Sequence, residues 1–524
     1  MTATLPPGLT AAQFHAALKA FEGIVDAEGL VVSEEEIAGF RDPFAHASWR
    51  EFAPSAALQP TSVEQVQAIV RAANEHRVPL WTSSQGRNNG YGGPAPRVAG
   101  SVALNLRRMN RVLEIDEESA FALVEPGVRF FDLYDAIKAS GAKLWMSVPD
   151  LSWGSIVGNT CDHGFGYTPY GDHVASQCGM EVVLPDGELL RTGMGAMSGT
   201  RAWQVYKRGF GPSLDGLFMQ SSLGIVTKMG MWLMPTPECY IPGWLTIARE
   251  DDLPLLLEAL RPLLIDGTIP NQPMIINAVC AASALSGRED WYTGPGVIPE
   301  EVVERIAGQP GLGRWVMRFA LYGREGIVAQ QRAIVERAFA HIEGLELTFS
   351  QYAGDALPEL ANPHERVQAG VPSIELDRMT KWYGGEEGGH IGFSSVAPVT
   401  GRDGVALRDL VKGTLEAAGF DYSAVIIASG RAMVHVCLVV FDTKDEAQAR
   451  GAYAACKSMV EPAAKLGYGE YRAHLDFMDL VAAQYDFGGH ASRRLHERIK
   501  DALDPNGILS PGKQGVWPAR YREG

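Results

Sequence analysis

The sequence predicts a two-domain protein of the α+β class, and three observations lead to this expectation. The chain has 524 residues, 46% of them apolar, which exceeds the roughly 100 to 200 residues of one typical domain. A helix and a strand precede a glycine-rich loop near residue 90. From about residue 243 the pattern changes to longer alternations of helix and strand, so a second domain is expected there.

The bulk composition narrows the possible partners. The formal net charge is -16 and arises from interspersed acidic and basic residues, which disfavours nucleic acid as a partner. No basic segment followed by an apolar one opens the chain, and no apolar stretch approaches the roughly 20 residues that cross a bilayer. We expect no membrane association and a cytoplasmic location. The six cysteines form no CxxC pair and no cluster at metal-ligand spacing, so we expect free thiols and no metal.

The elements of the first half follow in order. Thr61 and Glu64 have the spacing of a capping box, and apolar residues then recur at helical spacing, which predicts a helix over 61–76. A strand at 78–82 leads into the glycine-rich loop. Further strands are predicted at 102–106, 112–116 and 121–125, and a hairpin over 182–190 turning at Pro185-Asp186-Gly187.

The second half predicts two related α/β units packed on one sheet. The first unit would comprise strand 244–248, helix 252–264, strands 273–280 and 315–322, helix 326–342 and strand 346–350. The second would comprise helix 404–418, strands 423–428 and 433–441, and helix 444–466. We therefore place a first domain at 1–236 and a second at 237–468. The segment 469–524, with its loop-forming Pro and Gly residues, would complete the first domain.

The glycine-rich loop, residues 86–93, could bind a pyrophosphate on its backbone N–H groups. Taken alone, the loop fits a plain turn equally well. Other segments add to it, and together they resemble the vanillyl-alcohol oxidase and eugenol oxidase family of FAD-dependent 4-phenol oxidases. The segments occur in the family's order: Gly86–Gly93, Pro149-Asp150, Gly154–Asn159, Gly166–His173, Ser222–Thr227, Gly389-His390, Gly469–Arg472, Asp504–Gly507 and Pro511–Lys513.

The resemblance implies a two-domain FAD-binding fold with an α/β cap domain over the flavin. It also implies covalent FAD, linked at its 8α-methyl to His390, although a histidine beside glycines can be an ordinary loop residue. His46 would assist this attachment. The residues that the resemblance assigns to FAD are Ser84, Gly86, Arg87, Asn88, Asn89, Gly90, Gly92, Pro149, Gly154, Ser155, Gly158, Asn159, Gly224, Ile225, Val226, His390, Arg472 and Lys513.

The resemblance also implies a phenolate site formed by Tyr91, Tyr471 and Arg472. A free phenol has a pKa near ~10, and one arginine with two phenolic donors can stabilise its anion. Consecutive residues on a regular strand point to opposite faces, so a loop or bulge must bring Tyr471 and Arg472 together. Asp150 would lie near flavin N5 as a proton acceptor or electrostatic group; a turn-forming Pro-Asp pair is the alternative.

Three further residues are expected to contact substrate: Tyr167, Ser394 and Val434. Val434 belongs to Arg431-Ala432-Met433-Val434-His435, where relatives usually have Arg-Glu-Met-His-His. The smaller and less polar side chains put the preferred substrate in doubt, not the reaction class.

The implied reaction is hydride transfer from the benzylic carbon of a para-substituted phenol to the flavin through a p-quinone methide, with O2 as final acceptor. The substrates would be 4-alkyl, 4-allyl or 4-hydroxymethyl phenols. Relatives form dimers or larger assemblies, which implies a homo-oligomer. The alternatives are a flavocytochrome-type phenol dehydrogenase, a sugar or lactone oxidase on the same scaffold, and a catalytically silent nucleotide-binding protein.

Overall fold

The computed structural model describes residues 4–45, 49–357 and 360–522. It confirms the α+β class. The strands of the described chain are β1 (Leu30–Val31), β2 (Ala56–Leu58), β3 (Leu80–Ser83), β4 (Val102–Asn105), β5 (Val112–Asp116), β6 (Phe121–Val124), β7 (Leu144–Trp145), β8 (Gln177–Val183), β9 (Leu189–Arg191), β10 (Ile225–Trp232), β11 (Met234–Pro235), β12 (Cys239–Ile247), β13 (Met274–Asn277), β14 (Trp315–Gly323), β15 (Glu346–Phe349), β16 (Tyr352–Ala353), β17 (Gly388–Pro398), β18 (Ala424–Ser429), β19 (Ala432–Asp442) and β20 (Gly469–Glu470).

The α-helices of the same ranges are α1 (Ala11–Glu22), α2 (Glu34–Ile37), α3 (Val63–His76), α4 (Phe130–Ser140), α5 (Ile156–Cys161), α6 (His173–Ser176), α7 (Leu253–Ile265), α8 (Ala278–Ser283), α9 (Glu300–Ala307), α10 (Glu325–Phe339), α11 (Pro363–Gln368), α12 (Gly401–Ala417), α13 (Glu446–Lys465), α14 (Met478–Ala483) and α15 (Phe487–Leu503). Among these helices, none is long and apolar enough to cross a membrane.

The N-terminal half forms two sheets. In the first, β2, β4 and β3 run parallel and β1 pairs antiparallel with β2. Helices α1 and α3 pack together and share its apolar core. The second sheet is antiparallel in the order β5-β6-β10-β8-β9. Its β8–β9 hairpin pairs Val183 with Leu189, which confirms the predicted hairpin.

The predicted capping box of the helix at 61–76 is wrong by one residue. The helix begins at Val63, and the Ser62 hydroxyl caps it by accepting the Gln65 N–H at 3.3 Å. Thr61 instead donates its N–H to the Gln65 side chain at 2.7 Å. Because Ser and Thr cap equally well, the pattern alone did not fix which of the two adjacent residues precedes the helix.

The C-terminal half is built on one large sheet in the order β15-β12-β14-β13-β18-β19-β17-β20, with β16 pairing beside β12. Two units of the form β-α-β-β-α-β contribute to it, one from β12 to β15 and one from β17 to β20. They join where β13 pairs with β18. The expectation of two related α/β units on one sheet is therefore confirmed. Helices α7, α10, α12 and α13 cover one face, which leaves the other face toward the N-terminal half.

The structure differs from the prediction at two strands of this sheet. The strand predicted at 273–280 ends at Asn277, whose side chain accepts the Cys280 N–H at 3.1 Å and so caps helix α8. Strand β17, which carries His390, was not predicted because its Gly and Ser residues have low strand propensity. It nevertheless pairs with β19 along eleven residues and with the short edge strand β20 on its other side.

The C-terminal segment returns to the first sheet. Leu80 donates its N–H to the Ile508 carbonyl at 2.7 Å, and Ser510 donates to the Leu80 carbonyl at 2.7 Å. The tail thus extends the β3 edge, beside the entrance to the glycine-rich loop. We retain the domain division at residues 236 and 468 as a proposal.

Candidate active site

A cleft of about 2160 Å³, counting the open solvent at its mouth, lies between the uncovered face of the large sheet and the N-terminal half. Most of the predicted site residues line it. These are Tyr91, Asp150, Tyr167, Tyr471, Arg472, Ser84, Gly86, Arg87, Asn88, Asn89, Pro149, Gly154, Ser155, Gly158, Asn159, Gly224, Ile225, Val226, His390 and Lys513. Residues from distant parts of the chain therefore meet in one space large enough for a dinucleotide and a small substrate.

Four predicted residues lie just behind the lining. Gly90 packs on His390, and a Cβ atom at Gly90 would lie 2.7 Å from the imidazole Nε2. Gly92 packs on Leu475 in the same way. Ser394 is buried and its hydroxyl hydrogen bonds with the Tyr91 hydroxyl at 2.9 Å. Val434 is buried on β19. His46 lies outside the described residues.

Ser84, two residues before the glycine-rich loop, packs tightly on the start of helix α5. The Ser155 hydroxyl donates to the Ser84 hydroxyl at 2.6 Å, and a Cβ atom at Gly158 would lie 2.2 Å from Ser84 Oγ. The loop itself alternates in hand, with positive φ at Gly86 and Gly90. Such backbone presents N–H groups to an anion, as a pyrophosphate site requires.

Several polar atoms of the cleft have no hydrogen-bond partner within the described chain. Thr82 Oγ1, Ser222 Oγ and His390 Nδ1 are all buried and all belong to lining residues. Buried polar groups are normally satisfied, so these atoms indicate a bound polar molecule. The donor set, the glycine-rich loop and the cleft size all fit FAD.

Tyr91, Tyr471 and Arg472 form what we term the anion pocket. Strand β20 ends at Glu470, so Tyr471 and Arg472 follow the end of the strand, as the sequence argument required. Tyr471 donates its N–H to the Ser394 carbonyl at 3.2 Å. The Arg472 guanidinium carbon lies 5.5 Å from the centre of the Tyr91 ring and 5.3 Å from that of Tyr471.

The electrostatics of the anion pocket favour a negative ligand. Burial raises the pKa of both Tyr91 and Tyr471 above the ordinary tyrosine value, so both remain neutral donors at neutral pH. Arg472 donates Nε–H to the Asp162 backbone carbonyl at 2.6 Å. No carboxylate of the described residues lies at ion-pair distance from its guanidinium. The pocket therefore offers one positive charge and two hydroxyl donors.

Asp150 has a buried arginine as its partner, which the sequence argument missed. Arg318 of β14 forms an ion pair with Asp150, and its side chain is 2% exposed. Tyr167 donates its hydroxyl to the other Asp150 oxygen at 2.8 Å, and the Arg318 guanidinium carbon lies 4.2 Å from the Tyr167 ring centre. The single charge in the apolar run Trp315–Gly323 was a sequence signal for such a buried partner.

His364 completes the Arg318 environment. The guanidinium lies 2.8 Å from His364 Nδ1. Burial and the neighbouring Arg318 charge lower the pKa of His364 to about 3. The ring is thus neutral and accepts a hydrogen bond from the arginine, so one positive charge faces one negative charge in this cluster.

His390 stands on β17 with its side chain 6% exposed. Burial lowers the pKa of His390 to about 4. The imidazole is therefore neutral at physiological pH, which is the form that can act as a nucleophile. The Phe44 ring packs against it at 5.2 Å between centroids.

An aliphatic wall of the cleft was also missed. It consists of Ile427 on β18 and Val436 and Leu438 on β19. Val434 lies two residues before Val436, hence on the same face, and pairs directly with Ile427. These residues are neighbours only because of the pairing register between β18 and β19, so the sequence alone did not show that they form one surface.

Comparisons with known proteins show which family the chain resembles. Residues 54–193 match the family model of the FAD binding domain, and residues 406–514 match that of the FAD linked oxidases, C-terminal domain. The chain is 38% identical over 517 residues to the flavoprotein subunit of 4-cresol dehydrogenase (hydroxylating) of Pseudomonas putida, covering 98% of each protein.

Two solved structures are similar over nearly their whole length. One is the 4-ethylphenol oxidase from Gulosibacter chungangensis in complex with isoeugenol, with a TM-score of 0.94 and 41% identity over 99% of this chain and 100% of that one. The other is p-cresol methylhydroxylase with substrate bound, with a TM-score of 0.93 and 36% identity over 98% and 99% of the two chains.

The fold and the site therefore define an FAD-binding oxidoreductase. The chain belongs to the vanillyl-alcohol oxidase and p-cresol methylhydroxylase family.

Proposed function

We propose that this enzyme is an oxidase of para-substituted phenols, with FAD bound covalently through His390 and O2 as the electron acceptor. The observation that carries the proposal is the anion pocket, a cation and two neutral hydroxyl donors beside a carboxylate in one FAD-sized cleft. Relatives named for 4-cresol, 4-ethylphenol and p-cresol support the substrate class.

The anion pocket would bind the substrate as its phenolate. Lowering a phenol pKa from ~10 toward ~7 requires roughly 4 kcal/mol of anion stabilisation. Arg472 with Tyr91 and Tyr471 can supply this because charge-assisted hydrogen bonds strengthen where water is excluded. Ser394 would hold Tyr91 in position through its 2.9 Å hydrogen bond.

Asp150 would act mainly as a fixed negative charge. Its two oxygens are engaged by Arg318 and Tyr167, so the carboxylate is held in one orientation. A negative group facing the benzylic carbon would stabilise that carbon as hydride leaves, and could accept a proton from water that adds to it. FAD, when bound, supplies the two-electron acceptor.

The aliphatic wall would accommodate the para substituent. Ile427, Val436, Leu438 and Val434 present only methyl groups, so the wall suits alkyl or allyl chains better than charged ones. We accordingly include 4-alkyl, 4-allyl and 4-hydroxymethyl phenols in the substrate class.

A first experiment tests substrate and anion binding together. The purified yellow enzyme is mixed anaerobically with 4-ethylphenol, and its absorption spectrum is recorded. We expect bleaching of the flavin band. A polyol such as a monosaccharide serves as the control, and bleaching by the polyol but not by the phenol would overturn the proposal in favour of a sugar oxidase.

A second experiment tests the acceptor. Hydrogen peroxide should appear in step with oxidised phenol when the enzyme turns over in air. A flavocytochrome-type dehydrogenase would instead keep a bleached flavin in air until an artificial acceptor is added. The comparisons leave this point open, since both an oxidase and a dehydrogenase are among the relatives.

A third experiment tests the covalent link. Acid precipitation should leave the flavin in the protein pellet, and His390→Ala should release it to the supernatant. Peptide mapping then identifies the attached residue. Attachment at a tyrosine, or a colourless pellet from the unmodified protein, would show that the link to His390 is wrong.

A further inference from the structure

A buried carboxylate near His390 has no part in the function proposed so far. Asp42 precedes a turn that packs on β17, and its side chain is 2% exposed. Its Oδ1 accepts the Phe44 N–H at 3.0 Å. Its Oδ2 faces His474 Nε2 at 2.9 Å and accepts the Tyr453 hydroxyl at 3.2 Å. Burying a carboxylate requires such hydrogen bonds, and it usually requires a positive partner as well.

His474 is a hydrogen-bond donor to Asp42. Its Nδ1 accepts the Asp476 N–H at 3.1 Å, so that nitrogen carries no proton. The single ring proton is therefore on Nε2, where it is donated to Asp42. Burial opposes ionisation of Asp42, but its interactions with His474, and then with Phe44 and Tyr453, hold the pKa of this carboxyl below its ordinary value.

Phe44 connects the Asp42 carboxylate to a second imidazole, that of His390. Phe44 joins the two sites, since it donates its N–H to Asp42 and packs its ring on His390 at 5.2 Å. The same turn is fixed from the other side by the Tyr453 hydroxyl, which also donates to the Phe44 carbonyl at 3.1 Å. The Asp42 charge favours the protonated form of the His390 ring.

We propose that Asp42 is a positioning residue for flavin attachment, whose fixed charge stabilises the His390 imidazole as it becomes positive, an inference that rests on the proposed covalent link. In that step the lone pair of a neutral imidazole nitrogen forms a bond to the 8α carbon. One C–H bond of the methyl group breaks and its hydrogen leaves as a proton. The ring N–H proton is lost afterwards, and the two electrons released pass through the flavin to O2, giving hydrogen peroxide.

The charge of Asp42 matters only while the alkylated ring is an imidazolium. Asp42 should therefore accelerate attachment without being needed for FAD to bind. The expected effect of removing the charge is about 10-fold to 100-fold on the attachment rate, the size of a Coulomb interaction over several ångströms at an effective dielectric constant near 20.

The test uses the full-length protein produced in riboflavin-starved cells and mixed with excess FAD in air. Samples are denatured in acid at intervals, and protein-bound flavin is measured by fluorescence. Asp42→Asn removes the charge at constant shape. Asp42→Glu restores the charge, and Tyr453→Phe removes the Tyr453 hydroxyl with its hydrogen bonds to Asp42 and Phe44 while keeping the charge. Tight reversible FAD binding, measured before attachment, controls for folding.

We expect Asp42→Asn to bind FAD but attach it about 10-fold to 100-fold more slowly, Asp42→Glu to recover most of the rate, and Tyr453→Phe to remain within about threefold of the unmodified protein. Asp42→Asn attaching FAD at the unmodified rate would overturn the inference. If Asp42→Asn fails to bind FAD, the attachment rates of the other two variants decide. A lower rate for Tyr453→Phe than for Asp42→Glu would indicate a structural role of Asp42 and refute the charge role. If the unmodified protein never attaches FAD, the failure lies in the covalent link itself.

Discussion

The Arg318–Asp150 ion pair gives the sharpest test of the site. Replacing Arg318 by Met keeps an unbranched apolar stem in place of the arginine stem and removes the charge. Asp150 then retains only the Tyr167 hydrogen bond, in a site where its side chain is 12% exposed. The reverse change, Asp150→Asn, leaves the fully buried Arg318 with neutral neighbours. Each single change therefore leaves one charge buried without a partner.

The magnitude follows from that burial. Removing one member of a buried ion pair costs about 3 to 5 kcal/mol of unfolding free energy. The double variant contains neither charge, so it should lose clearly less than the sum of the two singles. We expect a coupling of about 2 kcal/mol, within the range for residues in direct contact.

The assay is a double-mutant cycle with two measurements. Urea unfolding followed by tryptophan fluorescence gives the stability coupling. Anaerobic stopped-flow bleaching by 4-ethylphenol gives the limiting rate of flavin reduction, which should fall about 100-fold to 10,000-fold for Asp150→Ala. Single-variant losses that add within about 0.5 kcal/mol would refute the ion-pair argument. A reduction rate unchanged in Asp150→Ala would refute its role in the reaction.

Three further outcomes are expected. Arg472→Lys replaces a planar fork by a point charge, so kcat/KM for 4-ethylphenol should fall about 100-fold, and an unchanged value would argue against phenolate binding. Gly90→Ala should cost more stability and covalent flavin than Gly296→Ala, because both glycines have positive φ but only Gly90 faces the His390 ring; equal losses in urea would contradict the packing argument. Burial lowers the pKa of four histidines, His173, His364, His390 and His435, to between about 3 and about 4. Because the unfolded chain binds these protons first, unfolding free energy should fall as pH drops from about 6.5 toward 4, and urea midpoints that are level across this range would contradict it.

The elements best predicted from the sequence were those with strong periodicity or explicit turn residues. The β8–β9 hairpin was found because Pro185-Asp186-Gly187 specifies its turn. The helices of the large sheet were found within a few residues because their apolar spacing is regular. Strand β17 was missed since Gly389, Gly392 and Ser395 adopt the strand through pairing with β19, and Ser395 also pairs with β20.

The site shows the same limit. The residues that family motifs mark, such as Tyr91 and Tyr471, do meet in one cleft. The partners that determine their chemistry were not predicted. Arg318 and Asp150 are separated by 168 positions, and nothing local to either residue indicates the other. Asp42 and His474 lie still further apart. Contacts of this kind depend on tertiary packing, which sequence periodicity does not contain.

Strand β17 also sets a fixed length inside the molecule. His390, Gly392 and Ser394 are every second residue of the strand and therefore lie on the same face. Because an antiparallel strand rises about 3.4 Å per residue, roughly 14 Å separates His390 from Ser394 along the strand. The proposed attachment point of the cofactor and the residue that supports the anion pocket are thus held at a fixed separation on one strand. Inserting or deleting a single residue between His390 and Ser394 would turn one of the two side chains to the opposite face of the sheet. Variation in this family should therefore be tolerated in the side chains opposite β17 far more readily than in the number of residues from 390 to 394.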